Sequence, residues 1–178
     1  MNYLLNFTIP QGPTGPTGNI GATGPQGVTG PTGPTGSSEG LKAYGGRYNN
    51  TSQTINLTIG AATQIPLSTT MPNSNTTYTT ANSITISQSG VYEINYFSNM
   101  TADLATGVTM SVRQNGTNIP STTITRSLSA NTGAVFSGST IVSLTSGAVI
   151  DLAITSLIAV GITLESGVNA TLSVKRLN

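Results

Sequence analysis

Five carboxylates make up the whole acid inventory of this chain: Glu39, Glu93, Asp103, Asp151 and Glu165. They stand one to a segment, so no spacing pairs two of them for acid and base work. Histidine and cysteine are absent, which removes the commonest general base and the strongest side-chain nucleophile. The same absence leaves no Cys/His metal site and no disulfide framework. Lone carboxylates make poor Ca²⁺ sites. No catalytic, cofactor-binding or metal residue is therefore assigned, no cofactor is expected, and the chain is not expected to be an enzyme. Glu93 and Asp151 lie in otherwise apolar stretches. They can face solvent, pair with Arg113 or Arg126, or meet a cation on a symmetry axis.

Glycines and hydroxyls carry more information. Residues 11–38 read QGPTGPTGNIGATGPQGVTGPTGPTGSS, with glycine at Gly12, Gly15, Gly18, Gly21, Gly24, Gly27, Gly30, Gly33 and Gly36. Three polyproline-II chains can wind together only where the residue nearest the axis has no side chain, which at three residues per turn is every third position. Proline precedes many Y positions, at 13, 16, 25, 31 and 34, where its fixed φ suits that helix. Threonine fills Y at Thr14, Thr17, Thr23, Thr29, Thr32 and Thr35. There each hydroxyl points outward on a rod of roughly 80 Å and is a candidate for O-glycosylation. A flexible Pro/Gly linker shares this composition but does not require the register. A triple helix also carries a stoichiometry, so a homotrimer is expected. Eight Asn-X-Ser/Thr sequons, at Asn6, Asn49, Asn50, Asn56, Asn75, Asn99, Asn115 and Asn169, are expected mostly as coincidence in a Thr- and Asn-rich chain.

The rest of the composition narrows the classes of partner. Charged residues are 6% of the chain and the net charge is +1, against about 25% charged in an average globular chain. Phosphate backbones demand clustered Lys and Arg, so no nucleic-acid partner is expected. No stretch approaches the roughly 20 apolar residues of a membrane span. The opening MNYLLNFTIP lacks the basic region and small-residue cleavage site of a secretory signal. Within it Tyr3, Leu5, Phe7 and Ile9 alternate with Asn2, Leu4, Asn6 and Thr8. This is the pattern of an extended anchor peptide that adds a strand to a carrier's open sheet edge.

Three regions follow: a leader at 1–10, the Gly-X-Y stalk at 11–38, and a head at 39–178. The head reads as all-β. TINLTI (54–59), ITIS (84–87), VYEINYFSN (91–99), VTMSVRQ (108–114), STIVSL (139–144), VIDLAIT (149–155) and ATLSVKR (170–176) are strand-like and bounded by turn residues. Val108, Met110 and Val112 share one face. Tyr92, Ile94 and Tyr96 share another, and Ile150, Leu152 and Ile154 a third. Asn115-Gly116 marks a tight hairpin, and Ser-Gly pairs at 89–90, 146–147 and 166–167 mark further boundaries. The number of short strands predicts a sandwich or a barrel, and a double-sheet jelly roll suits the count. The apolar run at 157–162 exceeds what one sandwich needs, so part of it is expected between protomers.

The junction FTIPQGPTGPTG, the GPT-rich tract and a Thr/Ser-rich head beginning near GLKAYGGRY resemble the BclA-like collagen-like glycoproteins of Bacillus spore surfaces. The motifs SGVYEINYFSN (89–99) and MSVRQNGTNIP (110–120) add to the likeness. The resemblance implies a C1q/tumour-necrosis-factor-like jelly-roll tip that trimerises and sets the stalk's register. It also implies a leader attached to an exosporium or spore-appendage carrier, and sugar on the stalk threonines. It places the protein on the spore surface. Two other readings stay open: a head that binds carbohydrate or host matrix, and a phage tail-fibre protein.

Overall fold

The computed structural model describes residues 8–27 and 42–178. Chain contacts divide it into two units, Met1–Ser37 and Ser38–Asn178. In the first, residues 8–27 carry neither helix nor strand and are exposed throughout.

The second unit is a β-sandwich. Its strands are β1 (Tyr44–Asn49), β2 (Gln53–Leu57), β3 (Thr63–Gln64), β4 (Thr69–Thr70), β5 (Thr76–Thr77), β6 (Ser83–Ile86), β7 (Gly90–Ala102), β8 (Thr106–Gln114), β9 (Thr117–Asn118), β10 (Ile124–Leu128), β11 (Gly133–Leu144), β12 (Val149–Ser156), β13 (Val160–Leu164) and β14 (Ala170–Arg176). One 3-10 turn, Pro120–Thr122, interrupts them. The first sheet runs β2-β13-β7-β14-β1-β4, with β11 on the other side of β7. The second runs β10-β8-β12-β6-β5, with β9 beside β8 and β3 beside β12. The 13-residue β7 is the spine of the first sheet. It holds β11 along its whole length on one edge, and β13 and β14 end to end on the other.

Period-two alternation decides which side chains form the core, because successive residues of a strand point to opposite faces. Tyr92, Ile94 and Met100 of β7 and Leu172 of β14 are buried, together with Met110 and Val112 of β8 and Ile150, Leu152 and Ile154 of β12. All belong to one cluster between the sheets. The three faces expected from sequence are therefore observed. At Asn115 and Gly116 φ is 51° and 80°, the left-handed pair of a type I′ turn, and it joins β8 to β9.

Two expectations change. The run at 157–162 divides: Val160 and Ile162 are buried in the head's own core as part of β13, whereas Leu157 stays 78% exposed. Strand TINLTI stops at Leu57, and Ile59 instead makes an isolated parallel bridge to Ser156. The short strands β3 to β5 lie in an excursion that Arg47 ties down. The guanidinium of this buried residue donates to the carbonyls of Leu67 (2.9 Å) and Tyr78 (3.0 Å) and stacks over the Tyr78 ring at 5.1 Å.

Candidate functional site: the outer face of the long-strand sheet

Strand β11 forms the feature most in need of a partner. It pairs with β7 from Gly133↔Thr101 to Leu144↔Gly90, and among the described residues with no other strand. Inward, Phe136 and Leu144 enter the core. Outward stand Val135, Ser137, Ser139, Ile141 and Ser143, of which Ile141 is 64% and Val135 46% exposed. Edge strands normally carry a charge, a proline or a bulge that prevents pairing with other chains. The sequence GAVFSGSTIVSL has no charge and no proline. This long, neutral, partly apolar edge therefore lacks those protections.

The rest of the same face is also weakly charged. Asn95 and Phe97 of β7, Thr171 and Ser173 of β14 and Tyr44 and Tyr48 of β1 follow in register beside it. A groove of about 400 Å³ crosses this face, walled by Tyr44, Met71, Pro72 and Lys175 and floored by Gly46 and Ser173. Glycine at Gly46 suits the close packing here, since an added Cβ would lie 2.7 Å from the Met71 sulfur and 3.2 Å from the Leu172 carbonyl oxygen. Glu93 and Lys175 form the ion pair of the face, at 2.5 Å. The hydrogen bond from Lys175 is the main reason the Glu93 carboxyl is held below its ordinary value. Behind β11, Gly138 sits opposite Tyr96, whose ring occupies the space a side chain would need. The Tyr96 hydroxyl donates to the Thr122 carbonyl at 2.7 Å, and burial pushes its pKa up.

Three of the described carboxylates, Glu93, Asp151 and Glu165, have side-chain partners. Asp151 accepts a bidentate pair of bonds from Arg113, both 2.7 Å, and a third from Gln64 at 3.0 Å. Its Arg113 pairing was one of the expected alternatives, whereas Glu93 takes Lys175 and neither Arg113 nor Arg126. Arg126 stacks instead over Phe136 at 5.7 Å. Glu165 accepts from the Thr101 hydroxyl, and Asp103 lies against Gly161. Glu39 falls outside the described residues. Among the described residues no three or more His, Cys, Asp or Glu side chains cluster as a metal site, and no helix is long and apolar enough to cross a membrane.

The stalk and leader residues named from sequence are placed only in part. Gly12, Gly15, Gly18, Gly21, Gly24 and Gly27 have nothing within 4 Å of an added Cβ. Thr14, Thr17 and Thr23 are exposed, and Ile9 is 84% exposed. Gly30, Gly33, Gly36, Thr29, Thr32, Thr35, Tyr3, Leu5 and Phe7 lie outside the described residues. The sequons separate by burial. Asn49 and Asn169 are fully buried and bonded to each other, Asn49 Nδ2 to Asn169 Oδ1 at 2.8 Å, so neither can carry a sugar in the folded head. Asn50, Asn56, Asn75 and Asn115 are exposed.

Two antiparallel sheets in this order, a long β7–β11 pair and a short-strand excursion closing one side define a jelly-roll head of the C1q and tumour-necrosis-factor kind. Solved structures share the fold. Eiger TNF from S. frugiperda matches at 12% identity over 78% of this chain and 93% of that chain, with a TM-score of 0.54. The globular domain of zebrafish complement 1qA protein matches at 12% identity over 77% and 98%, with a TM-score of 0.51. The PRD1 vertex protein P5 matches at 14% identity over 79% and 100%, with a TM-score of 0.52. At these identities the likeness is one of fold alone. No curated protein sequence matches the chain. Residues 45–178 match the family described as the BclA C-terminal domain, and the chain belongs to that family.

Proposed function

We propose that this protein is a homotrimeric fibre of the bacterial spore surface. Its Gly-X-Y tract winds as a triple-helical stalk, its head is a non-catalytic tip, and its leader attaches the fibre to an exosporium or appendage carrier. The observation that carries the reading is the unbroken glycine register from Gly12 to Gly36. A flexible linker selects composition without register, whereas three chains around a shared axis need glycine at every third position. Membership of the BclA C-terminal domain family supports the spore surface.

The head supplies what a short stalk lacks. Three chains meet in register only if something holds their ends together, and a trimeric head raises their effective concentration. The uncharged edge of β11, with Ile141 and Val135 exposed, is the surface we assign to that contact. Thr14, Thr17, Thr23, Thr29, Thr32 and Thr35 present the stalk's hydroxyls for O-glycosylation. Tyr3, Leu5, Phe7 and Ile9 form the apolar side of an extended leader that pairs with a sheet edge of the carrier. The full chain should scatter light as a trimer and label the spore surface with immunogold. Deleting residues 1–10 should keep the trimer but release it from spores. A monomer at micromolar concentration overturns the fibre, and normal decoration of spores by the truncated chain overturns the anchor.

A further inference from the structure

On the open side of the sandwich, away from the stacked sheet faces, the chain builds a second concavity. After the Asn115-Gly116 turn, β9 runs into the 3-10 turn Pro120–Thr122 and closes on the edge of β11. The result is a groove of about 410 Å³, inside the usual range of roughly 300–1,000 Å³ for small-ligand sites. Its floor is apolar, made by Ile119, Pro120 and Val142. Its rim is made of amides and a hydroxyl, from Gln114, Asn115, Asn118 and Thr117.

The floor is fixed while the rim is free. Buried Thr122 donates its hydroxyl to the Ile119 carbonyl at 2.7 Å and accepts from the Val112 amide at 3.0 Å. The Ile119 amide bonds to the Val112 carbonyl at 2.9 Å, and Tyr96 holds Thr122 from the other sheet at 2.7 Å. Ser121 and Thr140 bond across to β11 at 2.8 Å. On the rim, the Asn115 side-chain oxygen is engaged by the Val149 amide at 2.9 Å, which pins the turn and leaves its amide nitrogen free. The side chains of Gln114, Thr117 and Asn118 have no protein partner among the described residues. Such a site keeps its hydrogen-bonding capacity unspent over a fixed floor, and the ordering cost of binding falls on the rim side chains alone.

The chemistry of the lining selects the ligand. No charged side chain contributes, and the nearest in sequence, Arg113, is spent on Asp151. Phosphate, sulfate and carboxylate ligands call for Arg or Lys forks, which the groove lacks. Carboxamides donate and accept from one planar group, so they match adjacent hydroxyls, each itself a donor and an acceptor. The apolar floor suits the C–H face of a ring. We propose that this groove binds a neutral saccharide, with Gln114 and Asn118 contacting its hydroxyls above Ile119 and Pro120. Every lining residue comes from one chain, but Val142 belongs to β11, whose edge we assign to the trimer contact, so the inference rests on this end of β11 staying open in the fibre.

The test uses the full chain and saturation-transfer NMR with calorimetry. The probes are free glucose, galactose, mannose, rhamnose and N-acetylglucosamine, with glucuronic acid and glucose 6-phosphate as charged counterparts. At least one neutral sugar should bind and the charged forms should bind more weakly. Gln114→Ala with Asn118→Ala should weaken binding by about tenfold or more, since two hydrogen bonds are lost. Thr125→Ala, on another part of the head, should leave it unchanged. The isosteric pair Gln114→Glu and Asn118→Asp keeps the shape and removes the donors, so it should lose binding even if the alanine pair folds poorly. Binding untouched by the isosteric pair, preference for the charged sugars, or no binding by any neutral probe overturns the proposal.

Discussion

Lysine at positions 135 and 141 should dissociate the head without unfolding it. Ile141 and Val135 are 64% and 46% exposed on the outward side of β11, so neither contributes more than part of its side chain to the core of its own chain. Complete burial of such a side chain is worth about 1.5–3 kcal/mol. The fraction still open leaves about 1–2 kcal/mol for Ile141 and about 1 kcal/mol for Val135 to be gained on assembly. Over three chains that is about 6–9 kcal/mol, which at about 1.4 kcal/mol per tenfold corresponds to about four to six decades in the trimer's dissociation constant. Two ammonium groups per chain on a surface meant to be covered add a desolvation cost of the same sign, and charge on an edge strand opposes pairing in its own right. Light scattering and sedimentation of the full chain, from nanomolar to micromolar, read the mass. Far-ultraviolet circular dichroism reads whether the head keeps its strands. Thr125→Lys, at an exposed position on β10, is the control and should leave the mass alone. If Val135→Lys with Ile141→Lys keeps the wild-type mass across that range, β11 is not the assembly surface and the reasoning from its uncharged edge fails.

Removing one member of the Arg113–Asp151 pair should cost far more than removing both. The side chains are only 14% and 11% exposed, so Asp151→Ala strands a guanidinium and should destabilise by about 3 kcal/mol, while Arg113→Met with Asp151→Leu should be near neutral, as read by urea titration. Glu93 gives a pH signature: its folded pKa is depressed by Lys175, so its contribution is present above the unfolded value of about 4.3 and is lost as pH falls through the lower folded value. Glu93→Gln should therefore flatten the acid limb of the stability curve, and an unchanged limb would contradict the pairing. Gly24→Val meets nothing within 4 Å in a single chain; it should nevertheless make residues 12–36 protease-sensitive in the trimer, whereas equal cleavage of both proteins would return the tract to a linker.

How much of the head was legible depended on whether alternation and strand identity coincided. β7, most of β8, and β14 alternate buried with less buried positions, so Tyr92–Ile94–Tyr96 and Val108–Met110–Val112 spell their own orientation, whereas β12 is buried on both faces and was legible from its apolar run. The first half of β11 was missed because small residues interrupt it, with Gly133 and Ser137 outward and Gly138 inward where it yields space to Tyr96, so GAVFSG reads as a loop. β1 was missed for a related reason. Gly45 and Gly46 look like a turn, yet each lies where a Cβ would collide, with Thr76 and with Met71, so here glycine permits close packing inside a strand. The Glu93–Lys175 pair depended on β14 returning beside β7, a contact across the whole head that no local pattern encodes.

Low charge links the assembly surface to the groove. A sheet edge protected by lysine would stay monomeric, and a groove rimmed by lysine would collect any anion. Neither the β11 edge nor the Gln114–Asn118 groove carries a lysine. Its six cations and five acids include Arg113 and Lys175, spent on Asp151 and Glu93, and Arg47, held by carbonyls beneath the excursion. What the β11 edge and the groove offer for contact is hydroxyl, amide and aliphatic surface. Such surface discriminates through hydrogen-bond geometry and shape, and salt barely screens it, because screening acts on charge. Both the β11 contact and the Gln114–Asn118 groove should therefore keep their affinity from low salt to molar salt. A steep loss with ionic strength at either one would mean that charges outside these surfaces do the binding.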